Sequence, residues 1–239
     1  MTKKIVEVKN VWKIYKMGKT KVNALRGINV EVKKGEFLAI LGPSGSGKST
    51  CMNIVGCLDT PTKGEVFLSG KNIAKMSESD LAQVRGKKIG FIFQQFNLLP
   101  SLTARENVML PMMFQGVPVE QRLKQSKKYL ELVDLADRMN HTPNQLSGGQ
   151  QQRVAIARSL ANEPEMILAD EPTGNLDSKT GKTVIEFLKK LRKEQGTTIV
   201  VITHDEKIAK EADRQVYIKD GMIVKSLQED TSKYIQEDQ

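Results

Sequence analysis

Cysteine is scarce in this 239-residue chain, with two residues only, Cys51 and Cys57. Both are expected on one helix, where six positions amount to roughly 9 Å of rise, too far for a disulfide. They read as small core residues of a reducing compartment, and two thiols alone make a poor zinc site. Long apolar runs are missing as well. None approaches the ~18 residues needed to cross a bilayer. The opening Met-Thr-Lys-Lys-Ile-Val-Glu-Val has no apolar signal-peptide core. The chain is therefore expected to be intracellular and soluble by itself. Aromatic residues make up 5%, too few for a base-stacking platform.

Charge is plentiful and unbalanced: 37 Lys and Arg against 28 Asp and Glu give a net +9. Nucleic acid, an anionic membrane surface and polyphosphates all suit such a surplus. The lysines are spread along the chain, so a plain solvated basic surface suits it too. A hydrophobic content of 39% with 27% charged residues describes a folded domain rather than a disordered one. The length allows one large domain or two small ones. No internal repeat or low-complexity linker is present.

The most informative stretch is Gly42–Thr50, Gly-Pro-Ser-Gly-Ser-Gly-Lys-Ser-Thr. An apolar run, Phe37–Leu41, precedes it and a helical run, Cys51–Gly56, follows. Strand, glycine-rich loop and helix in that order match the phosphate-binding P-loop in full. Glycines let the backbone turn with positive φ and approach an anion closely. The helix start adds unpaired N–H donors and a partial positive charge. Lys48 can reach the β- and γ-phosphates, and Ser49 can hold Mg²⁺.

Ahead of the loop, Ile5–Val11 alternates like a strand, Lys16–Lys21 is a polar loop, and Val22–Val32 reads as a second strand pair. Tyr15 is either partial core or a platform for an adenine ring. Beyond the loop, Glu65–Leu68 is a strand with a turn at Ser69–Asn72. A short helix follows over Ser77–Arg85, with Ser77 as its cap, and Ile89–Phe93 is a strand ended by Gln94 and Gln95. Between Phe96 and Phe114 methionine, leucine and phenylalanine crowd between Pro100, Pro111 and Pro118. Short helices broken by the prolines are expected there, forming a small core, an adaptable docking surface, or both. Val119–Asp137 has helical spacing.

Ser147 with Gln150 is a capping-box pattern opening a helix over Gln151–Leu160. A cap alone does not account for Gly148 and Gly149, which weaken a first turn. Bare N–H groups at a helix start are what a phosphate needs. Glu165–Glu171 is an apolar strand ending in two acids, Asp170 placed to hold Mg²⁺ and Glu171 to orient or deprotonate a water. Ser178–Gln195 is an amphipathic helix stopped by Gly196. Thr197–Thr203 is a β-branched strand followed by His204, whose place at the same edge as the other chemistry favours a γ-phosphate contact over a structural role. Ile208–Ala212 is helical, and Gln215–Val224 is a hairpin around Asp220-Gly221. Residues from about 226 on are polar and expected to fray. Strands alternating with helices imply an α/β fold with a mainly parallel sheet and ligands at the strand C-termini.

Taken in order, these residues resemble the ATP-binding cassette (ABC) ATPases over about residues 1–225. Leu146-Ser147-Gly148-Gly149-Gln150, lying between the P-loop and the Asp170-Glu171 strand, carries the likeness. The resemblance implies a RecA-like P-loop NTPase core (about 1–94 and 162–225) with an antiparallel β subdomain, an inserted helical subdomain (about 95–161) and a polar tail (about 226–239). It implies ATP and Mg²⁺ as ligands. Tyr15 would stack on adenine, while Gly42, Ser44, Gly45, Ser46, Gly47, Lys48, Ser49 and Thr50 hold the phosphates. Ser49, Gln94 and Asp170 would hold Mg²⁺, and Glu171, His204, Gln94 and Lys48 serve hydrolysis. Ser147, Gly148, Gly149, Gln150 and Asp177 would reach ATP on a second copy. The partners implied are that copy, in a head-to-tail homodimer, and a separate membrane permease at the Gln94–Phe114 region, on the inner face of the cell membrane. Gly56-Cys57-Leu58-Asp59 and Ala169–Asp177 look similar to the lipoprotein-release, macrolide-export and cell-division (LolD/MacB/FtsE-like) group. A non-transport ABC ATPase acting on nucleic acid, or a P-loop kinase of small molecules, are the rival readings. No specific nucleic acid is expected, since neither coiled coils, zinc cysteines nor a second cassette is present.

Overall fold

The computed structural model describes residues 3–18, 20–229 and 231. The chain forms two compact units, Met1–Leu81 with Val200–Gln239, and Ala82–Ile199.

The first unit begins with a long hairpin, β1 (Lys4–Met17) and β2 (Thr20–Lys33). With β4 (Lys63–Leu68) and β5 (Lys71–Asn72) they make an antiparallel sheet in the order β2-β1-β4-β5. Two expectations are corrected here. Lys16 and Lys21, expected in a loop, belong to the strands, because they pair with each other across the hairpin as Tyr15 does with Val22. Residues 22–32 belong to one strand, not two. The break in alternation that suggested a pair comes from irregular register around Val11 and from Gly27 at φ 63°. Such a bulge shifts the inward face without ending the strand.

The strand before the P-loop, β3 (Phe37–Leu41), is buried at every position. It pairs in parallel with β9 (Arg214–Lys219), which pairs antiparallel with β10 (Met222–Val224). Full burial on both faces explains the unbroken apolar run. The helix after the loop, α1 (Lys48–Val55), stops at Gly56, so Cys51 lies on it and Cys57 beyond it. Both thiols are buried and free, and burial pushes the Cys51 thiol up to about 12. Most of the expected frayed tail lies outside the described residues. Its described part is held: Lys219 Nζ donates to the carbonyls of Leu227 (3.2 Å) and Glu229 (2.7 Å), and the Thr231 hydroxyl donates to Asp220 (2.6 Å).

The helix α2 (Glu78–Lys88), capped by Ser77, leads into the second unit. There β6 (Ile89–Ile92) and β7 (Met166–Asp170) pair in parallel. The helix α5 (Gly148–Leu160) packs on β6, and α3 (Ala104–Phe114) and α4 (Val119–Leu132) pack on α5 and on each other. Close packing of α5 on β6 requires Gly90, where a Cβ would lie 2.3 Å from the Ser159 carbonyl oxygen. Pro111 does not break α3 as expected. It sits in the last turn, and the burial of Val108 and Met112 on either side keeps the helix continuous. The last long helix, α6 (Ser178–Gln195), runs from its Asp177 cap to Gly196 at φ 65°. It buries Val184, Ile185, Leu188 and Leu191, each worth about 1.5–3 kcal/mol relative to exposure. The strand β8 (Thr198–Thr203) carries the chain back to the first unit, and α7 (Glu206–Ala209) follows. No helix of the described residues is long and apolar enough to cross a membrane.

Candidate functional site

The P-loop is shaped by what surrounds it. At Gly42 a Cβ would lie 2.1 Å from the Ile218 carbonyl oxygen of β9, so only glycine fits where the chain leaves β3. Gly47, at φ 103°, caps α1 and comes so near β2 that a Cβ would lie 2.5 Å from the Ala24 carbonyl oxygen. The first-turn N–H groups of α1 are thereby left open to an anion, without intervening side chains. Lys48 is buried, and its Nζ donates to the carbonyl oxygens of Gly42 and Pro43, both at 2.7 Å. The Ser46 hydroxyl is buried with no hydrogen-bond partner among the described residues. Gly45, Lys48, Ser49 and Thr50 line a groove of about 370 Å³, with Asn23 and Asp220 opposite.

Tyr15 is 36% exposed, with its ring edge fixed by two residues the sequence reading did not single out. Its hydroxyl donates to Asp59 Oδ2 (2.9 Å), and Lys13 Nζ donates to Asp59 Oδ1 (2.5 Å) while standing 5.0 Å from the ring centroid. Burial, and then the bond to Asp59, raises the phenol's pKa. Those polar anchors explain why Tyr15 stays partly exposed instead of joining the core. His204 follows β8 and is exposed.

In the second unit the register of β6 and β7 places Ile92 opposite Ala169. Two residues further on in each strand bring Gln94 and Glu171 to one sheet edge, with Asp170 ending β7. Glu171 has left the strand and takes φ 45°, a left-handed conformation that costs a residue with a Cβ about 1–2 kcal/mol. Gln94 rests on the loop after Glu171. Asn175 Nδ2 donates to the Gln94 carbonyl (2.9 Å), and a Cβ at Gly174 would lie 2.7 Å from Gln94 Nε2. Among the described residues no group of three or more His, Cys, Asp or Glu is placed to hold a metal. The donors expected for Mg²⁺ are a hydroxyl (Ser49), an amide (Gln94) and a carboxylate (Asp170). These are oxygen donors of the kind that cation takes when phosphates and waters complete its shell.

The expected capping box is present at α5. Ser147 Oγ accepts from the Gln150 N–H (3.3 Å), and Gln150 Oε1 accepts from the Ser147 N–H (2.9 Å). The two glycines have different reasons. Gly148 has ordinary space for a methyl group, whereas a Cβ at Gly149 would lie 2.5 Å from Thr180 Cγ2 on α6. The starts of α5 and α6 are thus pressed together. Asp177 caps α6, its carboxylate accepting from the Thr180 hydroxyl (2.6 Å) and from the N–H groups of Lys179 and Thr180 (both 3.1 Å). The Thr180 hydroxyl, with those N–H groups, holds this carboxyl below the usual range. Ser147, Gly149 and Gln150 line a depression of about 340 Å³ together with Arg153, Lys179 and Thr180. The start of α5 with Arg153 and Lys179 makes that face attractive to anions, set against Asp134 on its lining and the Asp177 carboxylate already seated at the start of α6.

The Phe96–Phe114 stretch divides residue by residue. Val108 and Met112 are fully buried, while Leu99 and Met113 are each 48% exposed and Phe114 78%. The loop between Gln94 and α3 is held from below by polar groups that pattern reading passed over. Arg158 donates to the Phe96 carbonyl (2.9 Å) and to that of Asn97. Asn107, wholly buried, donates to the carbonyls of Leu99, Leu102 and Thr103 and accepts from the Leu99 N–H. A polar residue inside an apolar helical stripe was the available signal.

The expected site residues thus fall into two sets. The first unit carries Tyr15, Gly42, Ser44–Thr50 and His204; the second carries Gln94, Ser147–Gln150, Asp170, Glu171 and Asp177.

A family model described as ABC transporter matches residues 25–174. An ABC transporter ATP-binding protein of Thermotoga maritima is 58% identical over 221 residues, 92% of this chain and 94% of that one. The macrolide export ATP-binding/permease protein MacB of Aggregatibacter actinomycetemcomitans is 50% identical over 224 residues, 94% of this chain and 35% of that protein. Among solved structures, a dimeric post-hydrolysis state of the ATP-binding cassette MJ0796 of Methanocaldococcus jannaschii, bound to ADP and Pi, has a TM-score of 0.85 at 51% identity. That match covers 94% of this chain and 100% of that one. The transporter reading therefore stands over the nucleic-acid reading, and the fold is that of an α/β P-loop NTPase. The chain belongs to the ABC transporter family, as an ATP-binding and ATP-hydrolysing subunit.

Proposed function

We propose that two copies of the chain close head to tail around two ATP·Mg²⁺ and reopen after hydrolysis, driving a separate membrane permease. The observation that supports this reading is a second anion-attracting face on a chain that already has a P-loop: the start of α5 with Arg153 and Lys179. One nucleotide does not need both when each copy supplies half of the coverage. In this reading Tyr15 stacks on adenine, and Gly42, Ser44–Thr50 and Lys48 hold the phosphates. Ser147, Gly148, Gly149, Gln150 and Asp177 approach the γ-phosphate of the other copy's ATP. Ser49, Gln94 and Asp170 hold Mg²⁺, which when bound neutralises charge developing on the phosphates. Glu171 orients or deprotonates the attacking water, with His204 on the γ-phosphate. Loss of the γ-phosphate removes the contacts that bridge the copies.

By role, we propose a nucleotide-binding core (about 1–94 and 162–225), a helical subdomain (about 95–161) and a polar tail (about 226–239). The permease meets the exposed Leu99, Met113 and Phe114, placing the chain at the cytoplasmic face of the cell membrane. The likeness to MacB, a macrolide export protein, supports an export or force-transmitting machine of that group.

Glu171→Gln tests the core of the reading. Turnover should fall at least ~100-fold, and ATP should then produce a stable dimer by light scattering. Wild-type turnover in this variant would overturn the assignment. Met113→Asp and Phe114→Asp should preserve ATP binding and abolish co-purification with the permease.

A further inference from the structure

Gln152 lies one helical turn beyond Gly148 on α5 and is fully buried. It shares the inward face of the helix with Ala155, Ile156 and Ser159. Its Nε2 donates to the carbonyl oxygen of Pro172 at 2.6 Å, whereas its Oε1 is buried without a hydrogen-bond partner among the described residues. Leucine or methionine would fill that space without an orphaned Oε1 but would strip the Pro172 carbonyl of its donor, so burial alone does not account for the amide. What the amide alone provides is the hold on Pro172.

Pro172 directly follows Glu171, whose φ is 45°. A residue before proline is restricted further than usual, so this conformation is unfavourable on two counts. It persists only if the downstream backbone is fixed. One restraint is the turn in which the Gly174 N–H donates to the Glu171 carbonyl (3.0 Å). Another is Gln152.

We propose that Gln152 is a positioning residue for Glu171, and that it links the two ATP sites of the dimer through a single chain. The proposal rests on the function proposed above. On that reading the N-terminus of α5 meets ATP held by the partner copy, while Glu171 serves ATP on its own P-loop. A helix is stiff over one turn, so a displacement of Ser147–Gln150 reaches Gln152 and, through the Pro172 carbonyl, the backbone that aims Glu171. Nucleotide arriving at one site therefore adjusts the water-activating group of the other.

Gln152→Leu removes the donor at nearly constant volume. The full-length variant should melt near the wild-type temperature, since the orphaned Pro172 carbonyl offsets the removal of the orphaned Oε1, and should bind a fluorescent ATP analogue with Kd within about twofold. Its kcat should fall at least tenfold, and its Hill coefficient for ATP should drop toward one. In the Glu171→Gln background the same change should lower the residual turnover no further, because the effect passes through Glu171. If Gln152→Leu does not fold, Gln152→Met, which also lacks the donor at similar volume, carries the same expectations. Wild-type kcat and Hill coefficient in a folded variant, with Glu171→Gln inactive, would overturn this proposal alone. An active Glu171→Gln would overturn the underlying reading instead.

Discussion

The ammonium of Lys48 is bound to the carbonyl oxygen of Gly42, the first residue of its own loop. Together with the bond to Pro43 this folds the P-loop over its lysine and compensates the charge of a buried side chain. Lys48→Met should therefore do two things. Turnover should drop at least ~100-fold through loss of charge on the phosphates. The loop should also lose its internal brace, so saturating ATP no longer raises the melting temperature as it does in the wild type. Calorimetry with and without ATP checks both, and an unchanged ATP shift would refute the phosphate role.

Gly149 allows packing and ligand binding to be separated. Gly149→Ala pushes a methyl group into Thr180 and should cost about 1–3 kcal/mol through overpacking. Adding Thr180→Ser removes the clashing Cγ2 while keeping the hydroxyl on Asp177, and should restore most of that loss in urea unfolding. ATP-dependent dimerisation should stay impaired in the repaired double variant if the bare N–H groups serve a phosphate. Full recovery would make the glycine a packing residue only.

For Tyr15 the ring and the hydroxyl have different jobs. Tyr15→Phe breaks the bond to Asp59 but keeps the ring, so ATP affinity should change less than about threefold. Tyr15→Ala should weaken ATP by about 1–3 kcal/mol, roughly five- to 150-fold, the value of a base on an aromatic ring. Equal losses in the two variants would count against stacking.

The pairing of Glu36 with Arg214 predicts a pH dependence. Arg214 reaches both carboxylate oxygens, at 2.7 and 3.2 Å. Burial pushes the Glu36 carboxyl up, but Arg214 and the Lys33 N–H outweigh it and hold the group below its ordinary value of 4.5. A depressed carboxylate stabilises the fold at pH above its unfolded value, and that contribution disappears as pH falls through the folded value. Glu36→Gln should thus be less stable than wild type at pH 7, by about 1 kcal/mol given the partial exposure of Arg214. The two curves should converge as the pH falls through the depressed folded-state value, below 4.5. A gap independent of pH would mean that packing, not charge, is lost.

Local backbone physics made much of this molecule readable from the residues alone. Gly42–Thr50 specified strand, loop and helix; Ser147 with Gln150 marked the capping box of α5, and Gly196 marked the end of α6 to the residue. Caps and glycine turns act over three or four positions, so neighbouring residues decide them. Tertiary structure decided what depends on partners far along the chain. Cross-strand pairing turned Lys16 and Lys21 from loop into hairpin strands. Packing kept α3 whole through Pro111, buried Met112 and exposed Phe114. Thr180, thirty-one positions away, gave Gly149 a steric reason that the capping pattern could not supply. Gln152 looked like one more glutamine in a polar run until the carbonyl of Pro172 was found against it. A buried hydrogen bond is settled by where two distant segments meet, and no local pattern encodes that meeting.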